Sequence, residues 1–304
     1  MLEGARGLLR THSPASRRRS WQRSPLDHPK SWAGEPFDGP REESGDPVLT
    51  SIFVIVQERG SVLADLLPAI LEKTRVRPVG VGFLTWRPGH SRRIGNGVRD
   101  RIQIYGIRAW AVRQVLGLWG RVNSHLRAHR VMVALKSHGI PRFEIDDVND
   151  PRFLDRLRRP VPDLVLSILT AQRFGPDLLS IPRIGCINVH LGQLPEYRGL
   201  HTSFWNLYNG ERESGVSIHF MNSRWDGGPI IAQRRFPVSP GETVRSLDRK
   251  KWAALPGLLS EALDALVEGR ATLAANERDQ GGYYSVPSRE AALAFRTERR
   301  GRWL

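Results

Sequence analysis

An amide, an imidazole and a carboxylate lie close together in the middle of this sequence. They belong to Asn188, His190 and Asp226, and 38 positions separate the first from the last. A side-chain amide can donate a hydrogen bond to a developing oxyanion, and an imidazole and a carboxylate can move a proton. These side chains therefore predict chemistry that passes through an oxyanion and needs a proton transfer.

One strand must deliver the first two of these groups. Residues Gly185–Val189 form an apolar run that predicts a strand, and side chains two positions apart point to the same face of a strand. Each motif also has an ordinary structural interpretation when it is taken singly. Asn-x-His can be a satisfied polar pair, Asp-Gly-Gly can be a plain turn, and His219 can be a hydrogen-bonded core histidine.

Strand and helix patterns alternate around these residues. Strands are predicted at Val48–Val56, Val79–Leu84, Ile140–Ile145, Leu164–Leu169, Gly185–Val189, Val216–Phe220 and Pro229–Phe236. Helices are predicted at residues 61–73, 104–119, 123–139, 153–157, 202–209, 242–254 and 257–268. Asn123 and Asp150 are the expected N-caps, Pro151 occupies a first turn, and Pro256 separates the last two helices. This order predicts an α/β fold, with a Rossmann-like, doubly wound, mostly parallel sheet and a C-terminal helical extension.

Taken together, the motifs resemble the folate-dependent formyltransferase family, which includes glycinamide ribonucleotide, methionyl-tRNA and amino-sugar formyltransferases. The family pattern is Asn-x-His, Leu-Pro-x-x-(Arg/Lys)-Gly, Asn-Gly, Gly-Val-(Thr/Ser)-x-His and Asp-x-Gly. The same order is found here at Asn188–His190, Leu194–Gly199, Asn209-Gly210, Gly215–His219 and Asp226–Gly228. The resemblance covers residues 140–245 well and residues 47–85 loosely. It implies an enzyme that takes a formyl group from 10-formyltetrahydrofolate without a metal, with Asn188, His190 and Asp226 as its catalytic residues.

The resemblance also implies where the folate binds. The loop whose backbone contacts the pterin ring corresponds to Thr170, Ala171, Gln172, Arg173 and Phe174. The loop on the other side of the ring corresponds to residues 225–230, with Trp225, Gly227 and Gly228 as candidate contacts. The strand Leu164–Leu169 leads into the first loop, at a carboxyl end where open α/β sheets bind ligands. An ordinary βα loop is the alternative for residues 170–174.

The acceptor side is implied by residues that follow the histidine. Gly192, Gln193, Arg198 and Gly199 correspond to the part of the family near the acceptor, and Arg198 is a candidate for an anionic substrate group. The family usually has Ser-Leu-Leu-Pro after the histidine, whereas this sequence has Gly192-Gln193-Leu194-Pro195. A lost hydroxyl and an added amide are expected to change acceptor recognition more than folate chemistry.

Composition sets further limits. The 304 residues include one cysteine, Cys186, which excludes a disulfide framework and is expected to be an inert buried thiol in a reduced compartment. Residues 1–46 lack apolar periodicity and predict a disordered or targeting extension, followed by a catalytic domain at 47–245 and helices and a tail at 246–304. A cytoplasmic protein without a transmembrane segment is expected, or a mitochondrial matrix protein if residues 1–24 are a transit peptide.

The formal net charge is +15, and much of the excess lies in one segment. Residues 86–121 contain eight arginines, one aspartate and the tryptophans Trp86, Trp110 and Trp119. This segment is an insertion without a counterpart in the family pattern. It is interpreted as a surface helix with a solvated basic face, as a clamp for an anionic acceptor, or as a contact with an anionic membrane surface.

The expected acceptor is therefore a small, anionic molecule with a primary amine, similar to a nucleotide-linked amino sugar. Methionyl-tRNA is an alternative that the basic charge supports. The family's tRNA enzymes carry a further β-barrel, for which the stretch after Phe236 is too short. A relative that binds folate, RNA or a membrane surface without turnover is a third hypothesis, and an enzyme that uses water as the acceptor is a fourth. The oligomeric state is not predicted.

Overall fold

A computed structural model describes residues 50–57, 62–72, 75–85, 98–277, 281–297 and 302–304. The expected extension at residues 1–46 and the first part of the basic segment, residues 86–97 with Trp86, lie outside the described residues. The side chains of Arg108, Arg113 and Trp119 fall outside the description as well. Among the described residues, no helix has both the length and the apolar character that a membrane crossing requires.

The described chain forms a seven-stranded sheet and a separate two-stranded sheet. The strands are β1 (Thr50–Val56), β2 (Val76–Leu84), β3 (Arg142–Ile145), β4 (Leu164–Ile168), β5 (Gly185–His190), β6 (Tyr197–Gly199), β7 (Glu213–Phe220), β8 (Ile230–Pro237) and β9 (Gly282–Tyr284). The large sheet has the order β3-β2-β1-β4-β5-β7-β8, and β6 pairs with β9. Strands β1 to β5 run parallel, and β7 and β8 are antiparallel to their neighbours.

Helices connect these strands and cover both faces of the sheet. They are α1 (Leu63–Glu72), α2 (Val98–Tyr105), α3 (Ile107–Ser137), α4 (Pro151–Leu157), α5 (Pro176–Ser180), α6 (Thr202–Asn209), α7 (Val244–Val267) and α8 (Arg289–Thr297). Apolar residues of α1, α3 and α7 pack on one face of the sheet, and those of α4 and α5 pack on the other. The predicted doubly wound, mostly parallel α/β fold is therefore confirmed.

The short central strands are buried on both faces, as their apolar sequences predict. All residues of β1 and β4 are buried, and Cys186 on β5 is 2% exposed. Burial raises the pKa of the Cys186 thiol, which keeps it protonated and unreactive. The expectation of an inert buried thiol is therefore confirmed.

Three helix predictions were wrong. Asn123 is not an N-cap, because α3 begins after Gly106 and runs through position 123. Gly106 has a φ of 79° and separates α2 from α3 inside the predicted helix 104–119. At the other end of the chain, Pro256 lies inside α7 rather than between two helices. The buried apolar face of α7 offsets the hydrogen bond that a proline removes.

The strand order places a crevice at the carboxyl ends of β1 and β4, where the chain turns to opposite sides of the sheet. Gln57 after β1 accepts a hydrogen bond from the amide of Ala171 after β4, at 3.0 Å. The neighbouring β5 ends at His190, so Asn188 and His190 lie beside this crevice. The predicted limit between catalytic domain and C-terminal extension, at residue 245, falls within α7.

Candidate active site

The antiparallel pairing of β5 with β7 brings two polar side chains together. Asn188 is the register partner of His219, and the Asn188 Nδ2 atom lies 3.2 Å from His219 Nε2. His219 Nδ1 is 2.7 Å from the Phe220 carbonyl, which can only accept, so Nδ1 carries the hydrogen. In the neutral ring Nε2 is then the acceptor, and it receives a hydrogen bond from the Asn188 amide.

Burial is the main cause that lowers the pKa of His219, to about 4, and Asp226 raises it only in part. The ring is therefore neutral at pH 7, which preserves its role as an acceptor. On the other side of the amide, Ser167 Oγ donates to Asn188 Oδ1 at 2.9 Å, and Thr170 Oγ1 lies 2.5 Å from Ser167 Oγ. These contacts fix the orientation of Asn188 and leave one of its N–H groups for a ligand.

His190 is held in a similar way by a backbone carbonyl. Its Nε2 lies 2.7 Å from the Tyr197 carbonyl, so Nε2 carries a hydrogen and Nδ1 faces Asp226. The Nδ1 atom is 3.7 Å from Asp226 Oδ1, and His219 Nε2 is also 3.7 Å from that oxygen. His190 Nδ1 and His219 Nε2 therefore face the same carboxylate oxygen.

Asp226 adopts an unusual backbone conformation, with a φ of 47°. The Gly199 amide donates to its Oδ2 atom at 2.8 Å, and Asn276 Nδ2 donates to its carbonyl, also at 2.8 Å. Burial alone would raise the pKa of this carboxyl, but His190, His219, the Gly199 amide and Arg198 together lower it. Asp226 is therefore a carboxylate at neutral pH and is aimed at the two imidazoles.

A cleft opens beside these groups. Its walls are formed by the loop after β4, the ends of β5 and β7, and the loop before Asp226. The lining residues are Thr170, Gln172, Arg173, Phe174, Asn188, His219, Met221, Asn222, Arg224, Trp225 and Asp226. Five of the residues predicted to bind folate are therefore found at the cleft, whereas Ala171, Gly227 and Gly228 are not among the lining residues.

The loop at residues 170–174 is anchored to the protein on its far side. Gln172 donates to the Asp146 carbonyl at 2.8 Å and accepts from the Val148 amide at 2.9 Å. Phe174 is 2% exposed and packs into the core below, and Arg173 donates to the Ser223 carbonyl across the cleft. The cleft therefore has a wall whose position is set before any ligand binds.

The residues predicted to contact the acceptor lie behind the catalytic groups instead of lining the cleft. Gln193 is 3% exposed, and Arg198 is 5% exposed and donates to Asn276 and the Glu277 carbonyl. A Cβ on Gly192 would lie 2.6 Å from His190 Nε2, and Gly199 contacts Asp226 through its amide. These four residues contact protein groups beside the candidate site, and their role toward the acceptor stays a prediction.

Sequence reasoning missed several residues that complete the site. His219 was interpreted as a core histidine, although the Gly-Val-Ser-Ile-His motif contains it. Ser167 and Asn276 carry no sequence signal, because their roles depend on contacts across the fold. Lys251 is 0% exposed inside α7. Burial lowers the pKa of Lys251 to about 7, and Asp248 raises it in part. Among the described residues, no group of three or more histidine, cysteine or acidic side chains is arranged to hold a metal ion.

Comparison with known proteins agrees with this arrangement. Residues 119–263 match the family model described as formyl transferase, and this stretch contains Asn188, His190, His219 and Asp226. The chain is 35% identical over 156 residues to a methionyl-tRNA formyltransferase from Trichlorobacter lovleyi, which covers 51% of this chain and 49% of that protein. It is 34% identical over 140 residues to the Geobacter sulfurreducens protein of the same name, covering 46% and 44%. The chain thus spans about half the length of the curated relatives that it matches.

Solved structures share the fold. Glycinamide ribonucleotide transformylase 1 from Symbiobacterium toebii superposes with a TM-score of 0.54 at 22% identity, covering 79% of this chain and 97% of that one. A sugar N-formyltransferase from a Shewanella species has a TM-score of 0.52 at 17% identity, covering 78% and 77%. Residues 119–263, which contain the candidate site, are thus similar to the formyl transferase family.

Proposed function

We propose that this protein transfers a formyl group from 10-formyltetrahydrofolate to the primary amine of a small, anionic acceptor. The observation that carries the proposal is that Asn188 and Asp226 line one pre-formed cleft and that His190 faces Asp226. Two of these side chains come from β5 and the third comes from a loop 38 positions later. The arrangement combines an oxyanion donor with a buried imidazole–carboxylate pair.

In the proposed reaction the acceptor nitrogen attacks the formyl carbon, and the bond from that carbon to the folate nitrogen then breaks. The carbonyl oxygen becomes negatively charged as the tetrahedral intermediate forms. Asn188 is suited to stabilise this oxyanion, because Ser167 and His219 hold its amide and one N–H group remains for the ligand. One such donor lowers a barrier by about 3–4 kcal/mol.

The same reaction moves one proton from the attacking amine to the departing folate nitrogen. The carboxylate of Asp226 can accept the amine proton directly or through water, and His190 Nδ1 faces it at 3.7 Å. His190 Nε2 donates to the Tyr197 carbonyl, so His190 acts on the reaction through Asp226. A positioned acid–base group contributes roughly 10²–10⁴-fold to a rate.

The chemistry of two cleft walls supports a folate as the ligand. Residues 170–174 supply backbone groups on one wall, and Trp225 supplies an aromatic surface that is 43% exposed. A pterin ring needs a flat apolar slot with polar groups at its edge, which these two walls provide. Thr170 and Asn188 place hydroxyl and amide groups at the inner end of the cleft, where the formyl group must approach Asn188.

An anionic acceptor is favoured by charge. The chain has a formal net charge of +15, and Arg173 and Arg224 line the cleft. Nucleotide-linked amino sugars combine a primary amine with phosphate groups, and one of the proteins that share the fold is named as a sugar N-formyltransferase.

Methionyl-tRNA is the second candidate acceptor. The specific observation in its favour is that the curated relatives with 34–35% identity are named methionyl-tRNA formyltransferases. The basic charge would also attract tRNA, because phosphate contacts dominate nucleic-acid affinity.

The test is the release of tetrahydrofolate from 10-formyltetrahydrofolate by the purified full-length chain. Separate arms contain no acceptor, glycinamide ribonucleotide, a pool of nucleotide-linked amino sugars, or charged methionyl-tRNA. Release that depends on an amino sugar supports the proposal, and release that depends on methionyl-tRNA supports the second candidate. Release with water alone would replace transfer by hydrolysis, and failure to bind folate would reject both.

A further inference from the structure

Helix α7 buries a lysine where its own pattern calls for an apolar residue. Leu247, Lys251 and Leu255 follow one another at intervals of four, and each is 0% exposed. Residues at this spacing share one face of a helix, and this face packs into the protein interior. Burying an ammonium group costs free energy unless hydrogen bonds compensate for the lost water.

The ammonium group has three acceptors in reach, all of them close to the candidate active site. Lys251 Nζ donates to the Leu191 carbonyl at 2.9 Å, to Thr202 Oγ1 at 2.8 Å and to Asn206 Oδ1 at 3.2 Å. Leu191 directly follows His190. Thr202 also donates to the Leu191 carbonyl, so two donors hold this one oxygen. The site beside His190 thus satisfies all three N–H groups of the lysine.

The loop that follows His190 is held by several further hydrogen bonds, so it has little freedom to adjust if the contact with Lys251 is lost. In the loop at residues 191–194, the Gly192 carbonyl accepts from Ser217 Oγ at 2.7 Å, and the Leu194 carbonyl accepts from Gln233 at 2.7 Å. A Cβ on Gly192 would lie 2.5 Å from the Tyr197 carbonyl. That carbonyl is the acceptor of His190 Nε2. A shift at Leu191 would therefore move the imidazole relative to Asp226.

We propose that Lys251 is a positioning residue, whose ammonium group fixes the start of the loop 191–194 and thereby holds His190 at its distance from Asp226. This role rests on the proposed formyl transfer for its catalytic consequence, although its structural part can be tested without turnover. Lys251 does not line the cleft, so it acts through His190 and not on a substrate.

The test compares Lys251→Met with Lys250→Met in the full-length chain. Methionine keeps an unbranched chain that is one heavy atom shorter than lysine, and each lost hydrogen bond leaves a group that retains another partner. The Leu191 carbonyl keeps Thr202, and Asn206 Oδ1 keeps Ser214, which donates at 2.7 Å. Lys250 is the control on the same helix, because its side chain is 41% exposed and bonds to Ser239 and Glu242 instead of the loop beside His190.

The first measurement is the imidazole spectrum of protein labelled with ¹⁵N-histidine at one fixed pH. His190→Gln identifies the signal of His190 among the nine histidines. We expect the His190 signal, including its bonded Nε2 proton, to shift or broaden in Lys251→Met and to stay unchanged in Lys250→Met. An unchanged His190 signal in a folded Lys251→Met variant would overturn the proposal.

The second measurement is turnover of 10-formyltetrahydrofolate with whichever acceptor the assay identifies. We expect kcat of Lys251→Met to fall about 10–100-fold with little change in the folate KM, because misplacement by about 1 Å can cost 10²-fold. If the wild-type chain shows no turnover, the proposed function fails, while the spectrum still decides the role of Lys251.

A second variant covers the case in which Lys251→Met does not fold. Thr202→Val removes the other donor to the Leu191 carbonyl and the second acceptor of Lys251. The same His190 shift is expected, and its absence would count against the proposal. Where both variants fold, their effects on kcat should not add, because the two side chains act on one carbonyl.

Discussion

Hydrogen bonds to backbone carbonyls fix the tautomer of each of the two histidines near Asn188. Backbone carbonyls at Tyr197 and Phe220 each require a donor, so they set which ring nitrogen carries the hydrogen. His219 then faces Asn188 as an acceptor, whereas His190 faces Asp226 with the nitrogen that can take up a proton. Two identical side chains therefore have different chemistry because different carbonyls bind them.

Replacing the carboxylate tests this division. Asp226→Asn should reduce kcat by about 10²–10⁴-fold, because it removes the group that accepts or stabilises the transferred proton. Circular dichroism should show an intact fold. Asp155→Asn is the control, since that carboxylate lies on the surface in an ion pair with Arg158. Turnover near the wild-type value in Asp226→Asn would remove this residue from the mechanism.

The buried neutral His219 makes stability depend on pH. The folded chain takes up this proton near pH 4, whereas the unfolded chain takes it up near pH 6.5, so the unfolded state binds more protons in between. The free energy of unfolding should therefore fall as the pH drops from about 6.5 to about 4, by roughly 3 kcal/mol from this group.

Urea denaturation across that pH range checks the contribution of His219. His219→Gln should show a flatter decline than the wild-type chain, because glutamine has no proton to take up. Equal slopes for the two proteins would mean that His219 is not the group responsible.

The separate two-stranded sheet of β6 and β9 supports Asp226. Strand β6 pairs with β9, and Gly199 at the end of β6 donates to the carboxylate. Strand β6 lies in the predicted motif at Leu194–Gly199. Its partner strand β9 comes from a segment more than 80 positions later in the sequence. Sequence patterns located the long strands to within a few residues, and they missed the β6–β9 pair because three-residue strands have no periodicity.

Two glycines have similar backbone angles but differ in the space around them, so replacing each by alanine distinguishes the cost of backbone strain from the cost of crowding. Gly199 and Gly210 have φ values of 90° and 72°, but a Cβ on Gly199 would lie 2.1 Å from the Tyr284 carbonyl, while Gly210 has nothing within 4 Å. Gly210→Ala should therefore cost about 1 kcal/mol of stability. Gly199→Ala should cost more than about 3 kcal/mol and also lower turnover.

Thermal and urea unfolding of both glycine variants measure this difference. The result expected from the contacts is a clear separation between the two proteins. Similar losses for both would show that the β6–β9 pairing can shift without penalty, and would weaken the case that Gly199 holds Asp226 in place.

Charge is unevenly distributed along the chain, and the basic segment at residues 86–121 is its largest unexplained feature. Its described part forms α2 and the start of α3. The apolar spacing predicted one amphipathic helix here, and Gly106 divides it in two. A clamp for an anionic acceptor stays a prediction from the sequence, because the relevant arginine side chains fall outside the description.

Charge reversal in this segment provides the test. Arg108→Glu with Arg113→Glu should raise the acceptor KM and leave folate binding unchanged, if the segment binds an anionic group. Arg130→Glu with Lys136→Glu makes the same charge change among exposed residues nearer the end of α3. Unchanged acceptor kinetics in the first variant would discard the clamp, and equal effects in both would indicate a general effect of net charge.

The order of elements and the three catalytic candidates followed from the linear chain. Alternating or continuous apolar patterns are local properties, so β5 and the common face of Asn188 and His190 could be predicted without a structure. The spacing of the motifs then pointed to Asp226. In each case the information lies within a short stretch or in a recurring order of residues.

Only the tertiary structure decided which side chains support the three catalytic candidates. The register of β5 with β7 places His219 against Asn188, and α7 brings Lys251 to a carbonyl 60 positions away. Such partners depend on how distant elements pack, and the sequence does not show which carbonyl a buried lysine reaches. The reason is physical: a hydrogen bond between remote groups is set by the three-dimensional approach of their elements, which no local periodicity encodes.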